Sequence, residues 1–135
     1  MAEPGPYGAV MSQRGAMTVA AGLGFLAVAL GAFGAHGLEK ILEANDRVDT
    51  WETAVLYHFV HTLALLALAV RGPVPRLVGW SFVIGIAIFS GSLYILSLTG
   101  LTWLGVITPL GGVGFLVGWA ALAVTGGGAG KEAKA

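Results

Sequence analysis

The sequence has no cysteine and very little charge: among 135 residues there are seven Lys and Arg and seven Asp and Glu. Without thiols there are no disulfides, thiolate metal centres or cysteine nucleophiles. At 10% charged residues, against roughly 25% in an ordinary soluble domain, the chain cannot cover a water-facing surface. That excludes a soluble enzyme domain. The formal net charge is zero, which excludes a nucleic-acid binder, whose surface must be basic. Intrinsic disorder needs low hydrophobicity, and 56% of this chain is hydrophobic. Every Asp and Glu lies in a tail, in the segment from Glu39 to Asp49, or at Glu52. What remains is an integral membrane protein.

A helix crosses a bilayer core with about 20 mostly apolar residues. The charge-free runs Gly15–Leu38, Thr53–Val70 and Leu77–Gly130 supply that length, the last of them for two crossings. The natural cut in the last run is Leu98-Thr99-Gly100-Leu101-Thr102, with Gly100 ending one helix and Thr102 capping the next. No strict alternation of apolar and polar residues supports barrel strands. The sequence therefore predicts an all-α, antiparallel up-down four-helix membrane bundle with spans near 15–37, 52–71, 77–98 and 102–124. Residues 1–14 are expected to be a disordered tail, with Met11 as an alternative start, and 125–135 a flexible one. The run Gly-Gly-Gly-Ala-Gly-Lys at 126–131 lacks the Ser/Thr and strand–helix context of a phosphate loop.

Arg71-Gly-Pro-Val-Pro-Arg76 reads as a tight turn, because two prolines stop helical continuation. In the first connection Leu38, Ile41 and Leu42 fall opposite Glu39, Lys40 and Glu43, as in a short interfacial helix; a solvated charged loop is the alternative. Asp49 and Glu52 resemble a capping box opening the second span. Arg14, Arg71, Arg76, Lys131 and Lys134 lie on one side, against Lys40 and Arg47 on the other, so positive-inside reasoning puts both termini in the cytoplasm. Trp80 and Trp119 then fall near the inner interface, and Trp51 and Trp103 near the outer one. A cleaved signal peptide would leave three spans and reverse the sign of that asymmetry.

Polar side chains at membrane depth are informative, because lipid offers them no partner. On this topology His36, Tyr57, His58, His61, Ser90, Tyr94 and Thr108 all fall in the outer half, together with Ser92 and Ser97. The three histidines are expected at similar depth, where they could meet; His58 and His61 share a helix face. Hydrogen bonding between helices is the leading reading of this cluster. A proton or solute pathway, a zinc or copper set and axial haem ligation follow it. Under the leading reading, His36→Ala and His61→Ala should each lower thermal stability. Small residues at Ala27, Gly31, Gly34 and Ala35, and at Gly114 and Gly118, let helix backbones approach closely. Pro109 leaves the Gly105 carbonyl without its helical partner and should kink or break the fourth helix.

Four ordered motifs carry a resemblance: Gly31-Ala-Phe-Gly-Ala-His-Gly37; Trp51-Glu-Thr-Ala54 with Tyr57-His58 and His61; Phe89-Ser-Gly-Ser-Leu-Tyr94; and Ile107-Thr-Pro-Leu-Gly-Gly112 followed by Gly118-Trp119. In this order they resemble the YgdD/YwdK-like family of small membrane proteins, over about residues 14 to 122. The resemblance implies four spans in an inner membrane. It implies no catalytic roles, since the family has no established activity. The matching positions are His36, Trp51, Tyr57, His61, Ser90, Tyr94, Thr108 and Pro109; His58 belongs to the pattern less clearly.

Together these readings point to a structural or accessory protein of the bacterial inner membrane. The alternative is an oligomeric transporter or channel subunit using the histidines, and behind it a metal or haem protein. Neither an intramembrane carboxylate nor a base–acid set beside the serines is present, so an enzyme is not expected. No cofactor, metal or catalytic residue is assigned. The lipid bilayer is the expected partner, and a homo-oligomer is left open.

Overall fold

The computed structural model describes residues 8–126. Strand β1 (Val10–Met11) leads into helix α1 (Gln13–Ala35), followed by a short α2 (Glu39–Ala44) and the long α3 (Val48–Arg71). Strand β2 (Val74–Pro75) then precedes the third span, in which α4 (Arg76–Gly85) and α5 (Gly91–Thr99) are joined by a π-turn at Ile86–Ser90. Helix α6 (Leu104–Gly126) is the last element. Four helical spans, Gln13–Ala35, Val48–Arg71, Arg76–Thr99 and Leu104–Gly126, are long and apolar enough to cross a membrane. Each is 23 or 24 residues, or about 35 Å at 1.5 Å per residue, which matches a hydrocarbon core of about 30 Å with slight excess.

The helix limits have local causes. Ser12 caps α1 by accepting a hydrogen bond from the Gly15 amide (3.1 Å), which serves one of the unpartnered N–H groups of the first turn. Gly100 closes α5 in the left-handed conformation, with φ 71°, as its place in the sequence requires. Two expected caps are corrected. Helix α3 begins at Val48, behind Arg47 and without any side-chain cap, so Asp49 sits inside the first turn rather than opening a capping box. Thr102 makes no capping bond; α6 opens instead through i→i−3 backbone bonds from Leu104, Gly105 and Val106. Pro109 lies within a helix that runs unbroken from Leu104 to Gly126, so of the expected kink or break the break does not occur. The irregular backbone is the π-turn of the third span.

The amino-terminal segment also departs from expectation. Val10 and Met11 pair antiparallel with Pro75 and Val74, and Arg76 N–H donates to the Ala9 carbonyl (3.0 Å). The expected disordered tail 1–14 therefore gives way to ordered chain by Ala9, because the two prolines leave the 71–76 turn extended and able to pair. Residues 1–7 and 127–135, including most of the expected carboxy-terminal tail, lie outside the described residues.

Packing is uneven around the bundle. Helix α1 rests almost wholly on α3, while α6 rests on the third span along α4, the π-turn and α5. One apolar core of Ala16, Ala20, Leu65, Ala69, Val78, Phe82, Ile86 and Phe115 joins all four spans toward the end that carries β1 and β2. At the opposite end α2 covers the bundle, burying Leu42 and donating from Asn45 Nδ2 to the Ser97 carbonyl (2.9 Å).

The third and fourth spans meet along glycine. A Cβ at Gly111 would overlap the backbone of Phe89 in the π-turn, and one at Gly118 would stand 2.6 Å from the Phe82 ring. Gly114 faces the Gly85 Cα, 3.4 Å from where its own Cβ would be. These contacts put the small residues of α6 to use within the chain, where close backbone approach supplies the dispersion contacts on which association in lipid depends.

Candidate functional site

His61 lies near the middle of α3 and is 4% exposed. Its Nδ1 is 2.7 Å from the Tyr57 carbonyl, one turn back on the same helix. Its Nε2 accepts from the Trp119 indole on α6 at 3.1 Å. A carbonyl can only accept and an indole N–H can only donate. The ring is therefore held as the neutral Nδ1–H tautomer, with both nitrogens used. Phe115, one turn before Trp119, stacks on the imidazole face with centroids 3.5 Å apart and planes 9° from parallel. Phe82 meets its edge at 5.4 Å.

His58, one turn nearer α2 and 3% exposed, uses a different partner. Its Nδ1 is 3.1 Å from the Tyr94 hydroxyl on α5, and Tyr94 in turn lies 4.7 Å from the Trp51 ring. The His58 Nε2 is buried without a hydrogen-bond partner, as is the Thr62 hydroxyl four residues on. Ser90, fully buried in the π-turn, donates to the Ala54 carbonyl of α3 at 2.7 Å. Ser92 and Thr108 share a hydrogen bond of 2.7 Å between α5 and α6. Tyr57 is 41% exposed and contributes its ring, 4.5 Å from Phe89.

His36 does not join this group. It lies past the end of α1, exposed, with its amide on the Phe33 carbonyl. The expectation that three histidines meet is corrected. α1 ends at Ala35, one residue before His36, while His58 and His61 lie a turn or more inside α3, each on its own partner. Among the described residues no three His, Asp or Glu side chains come close enough to hold a metal ion. The zinc or copper set and the pairing of His36 with another histidine on haem therefore lack their third and second ligands.

Of the tryptophans read as interfacial anchors, Trp51 is buried instead, and Trp119, 43% exposed, makes an interhelical bond as well. Trp119 is the His61 partner. Trp51 is 3% exposed and donates from Nε1 to the Leu30 carbonyl of α1 at 3.0 Å. Its indole occupies the space a side chain at Gly34 would need. Trp80 and Trp103 do face the surroundings. Phe115 and Trp119 carry a signal that periodicity could have found: with Gly111 and Gly118 they recur on one face of α6. Asn45, at the end of α2, offered no such pattern.

The described polar groups thus form a set of cross-links: α1 to α3 through Trp51, α3 to α5 through His58, α3 to the π-turn through Ser90, α3 to α6 through His61, and α5 to α6 through Ser92 and Thr108. The family described as "Protein of unknown function (DUF423)" matches residues 30–112, a stretch that holds nearly all of these cross-links. The UPF0382 membrane protein YwdK of Bacillus subtilis is 47% identical over 106 residues, covering 73% of this chain and 85% of the relative. The UPF0382 inner membrane protein YgdD of Escherichia coli is 44% identical over 121 residues, covering 84% and 90%. The chain belongs to the DUF423/UPF0382 family of membrane proteins. A UPF0382 relative from Staphylococcus saprophyticus is 48% identical over 103 residues, covering 73% of this chain and 85% of the relative. No solved structure matches the chain. Of these five side-chain cross-links, only the His61 bond reaches outside the family stretch, to Trp119.

Proposed function

We propose that this DUF423/UPF0382 protein is a structural or accessory component of the bacterial inner membrane, without enzymatic activity, and with both termini in the cytoplasm. The observation that carries this reading is His61, whose two nitrogens are both engaged, with Phe115 stacked on its face and Phe82 in edge contact. A group that relays protons or binds a solute needs a free nitrogen, and His61 has none while the Trp119 bond stands. The other cross-links also join helix to helix. This is the use that polar side chains find most often inside membrane bundles.

A transporter or channel subunit is the second reading. The unpartnered His58 Nε2 and Thr62 hydroxyl, one turn apart on α3, favour it, because buried polar atoms of this kind commonly hold water. Liposome measurements separate the two. With an entrapped pH-sensitive dye and an imposed proton gradient, the accessory reading expects no protein-dependent flux. Flux that His58→Phe abolishes would establish the pathway instead. The orientation is open to a direct test because the chain has no cysteine. An impermeant maleimide applied to intact spheroplasts should label Ala44→Cys, at the end of α2, and leave Pro73→Cys unlabelled until the membrane is opened.

A further inference from the structure

A cavity of about 560 Å³ opens between α1, α2 and the first turns of α3, a size suited to one small ligand. Its lower wall is apolar: Leu42, Trp51, Val55 and Phe59. Its rim carries Glu39 and Glu43 from α2 and Glu52 from α3, all three exposed. No cationic side chain lines it. The surrounding stretch 39–52 holds five acidic residues against Lys40 and Arg47, so most of the chain's negative charge is gathered at this one end.

Glycine keeps the cavity open on the α1 side. At Gly34 the space beside the backbone is filled by the Trp51 indole, whereas at Gly31 a Cβ would meet only Val55 Cγ1, at 3.5 Å. From Glu52 to Phe59 the α3 wall descends about 10 Å at 1.5 Å per residue. The cavity thus joins a carboxylate rim at the level of α2 to an apolar wall at membrane depth.

We propose that this cavity binds an amphiphilic cation: a single ammonium group on an apolar chain, with the ammonium among Glu39, Glu43 and Glu52 and the chain between Gly31 and Phe59. Charge complementarity selects this occupant. Carboxylates at the edge of a low-dielectric region attract a cation more strongly than they would in water, and the apolar wall below them takes the chain. A zwitterionic phospholipid would bring its phosphate against the same carboxylates, with no cation in the lining to receive it. The inference is independent of which leaflet meets α2, and of whether the bundle is an accessory protein or a transporter.

The test uses the full chain in neutral-lipid nanodiscs, with Trp80→Phe and Trp103→Phe to remove two of the three exposed indoles; the third, Trp119, is kept for its bond to His61, and its quenching is subtracted as that of the Trp51→Phe variant. The probe is chain-brominated decyltrimethylammonium, which quenches tryptophan on contact. Saturable quenching is expected, lost on Trp51→Phe. Gly31→Leu, which fills the cavity, should abolish it. Replacing the three glutamates together by glutamine should raise the half-saturation concentration at least ~10-fold. If that triple variant does not fold, Glu52→Gln alone should raise it about threefold. Equal saturation by a neutral brominated decyl probe would overturn the proposal, as would indifference to both the glutamine and the Gly31→Leu changes. Saturable quenching by brominated phosphatidylethanolamine that outcompetes the cation would overturn it in favour of a bound lipid.

Discussion

The two sides of the bundle use the same small residues to opposite ends. Between the third and fourth spans, Gly85, Gly111, Gly114 and Gly118 let backbone meet backbone and aromatic rings, and the seam is filled. Between α1 and α3, Gly34 is filled by Trp51, but Gly31 lines a cavity and Thr62 faces Gly24 with its hydroxyl unpartnered. A row of small residues is thus not a packing motif by itself. What matters is what the neighbouring helix brings to it: the π-turn and Phe82 fill one seam, and on the other only one large ring, Trp51, reaches across.

The sharpest way to break that comparison is Gly111→Leu. The new side chain would have to displace the Phe89 backbone, and overpacking of this kind should destabilise by more than ~3 kcal/mol. Thermal unfolding in mild detergent should show a large drop or no folded species; a near-normal melt would mean that the seam is not closed at Phe89.

The histidines divide in the same way. His61→Ala should destabilise by ~1–3 kcal/mol, through the stacked Phe115 and the orphaned Trp119 N–H. His36→Ala, at an exposed position, should leave the melting temperature unchanged. This replaces the expectation that both would fall. Equal losses would place His36 in a contact that its exposure denies. A smaller effect is expected of Ser90→Ala, which removes one interhelical bond to the Ala54 carbonyl. Bonds of that kind within membranes average about 0.6 kcal/mol, and a loss above ~2 kcal/mol would give the π-turn a larger role than its hydrogen bond.

The smallest expected effect sharpens the contrast from the other side. Gly31→Ala places a methyl group in ordinary contact with Val55 Cγ1 and removes a residue of poor helix propensity. Its stability should stay within ~1 kcal/mol of the parent, rising rather than falling. A loss like that of Gly111→Leu would show that α1 and α3 are packed as tightly as the other seam.

Much of this architecture could be read along the chain. The four spans appear as charge-free runs because hydropathy is a property of single residues in order. Gly100 ended its helix where expected, since a left-handed residue is a local requirement. Leu42 and its charged neighbours offered α2 as one of two readings of the first connection, and the pairing of polar groups between helices was foreseen in kind. The partners were not. Trp119 was read as an interfacial anchor, which its exposure allows; its bond to His61 was missed because depth was visible and direction was not. His36 was placed with the other histidines because depth was the only coordinate available. The pairing of Val10 and Met11 with the 71–76 turn joins segments more than sixty residues apart, and no local pattern marks it.

By itself, then, the sequence determined that this is a four-span membrane protein, where most of its helices stop and which end gathers its acids. Length, hydropathy and charge are all one-dimensional. Only the tertiary structure decided the rest: that Pro109 stays inside an unbroken helix while Ile86–Ser90 takes the π-turn, that His61 is held neutral between Tyr57 and Trp119, and that Gly31 opens on a cavity while Gly111 is closed. Each of these depends on how a helix is turned about its axis and which neighbour it meets there. Lipid sets the depth of an apolar segment and is indifferent to its rotation; close packing and the satisfaction of buried polar groups settle the rotation.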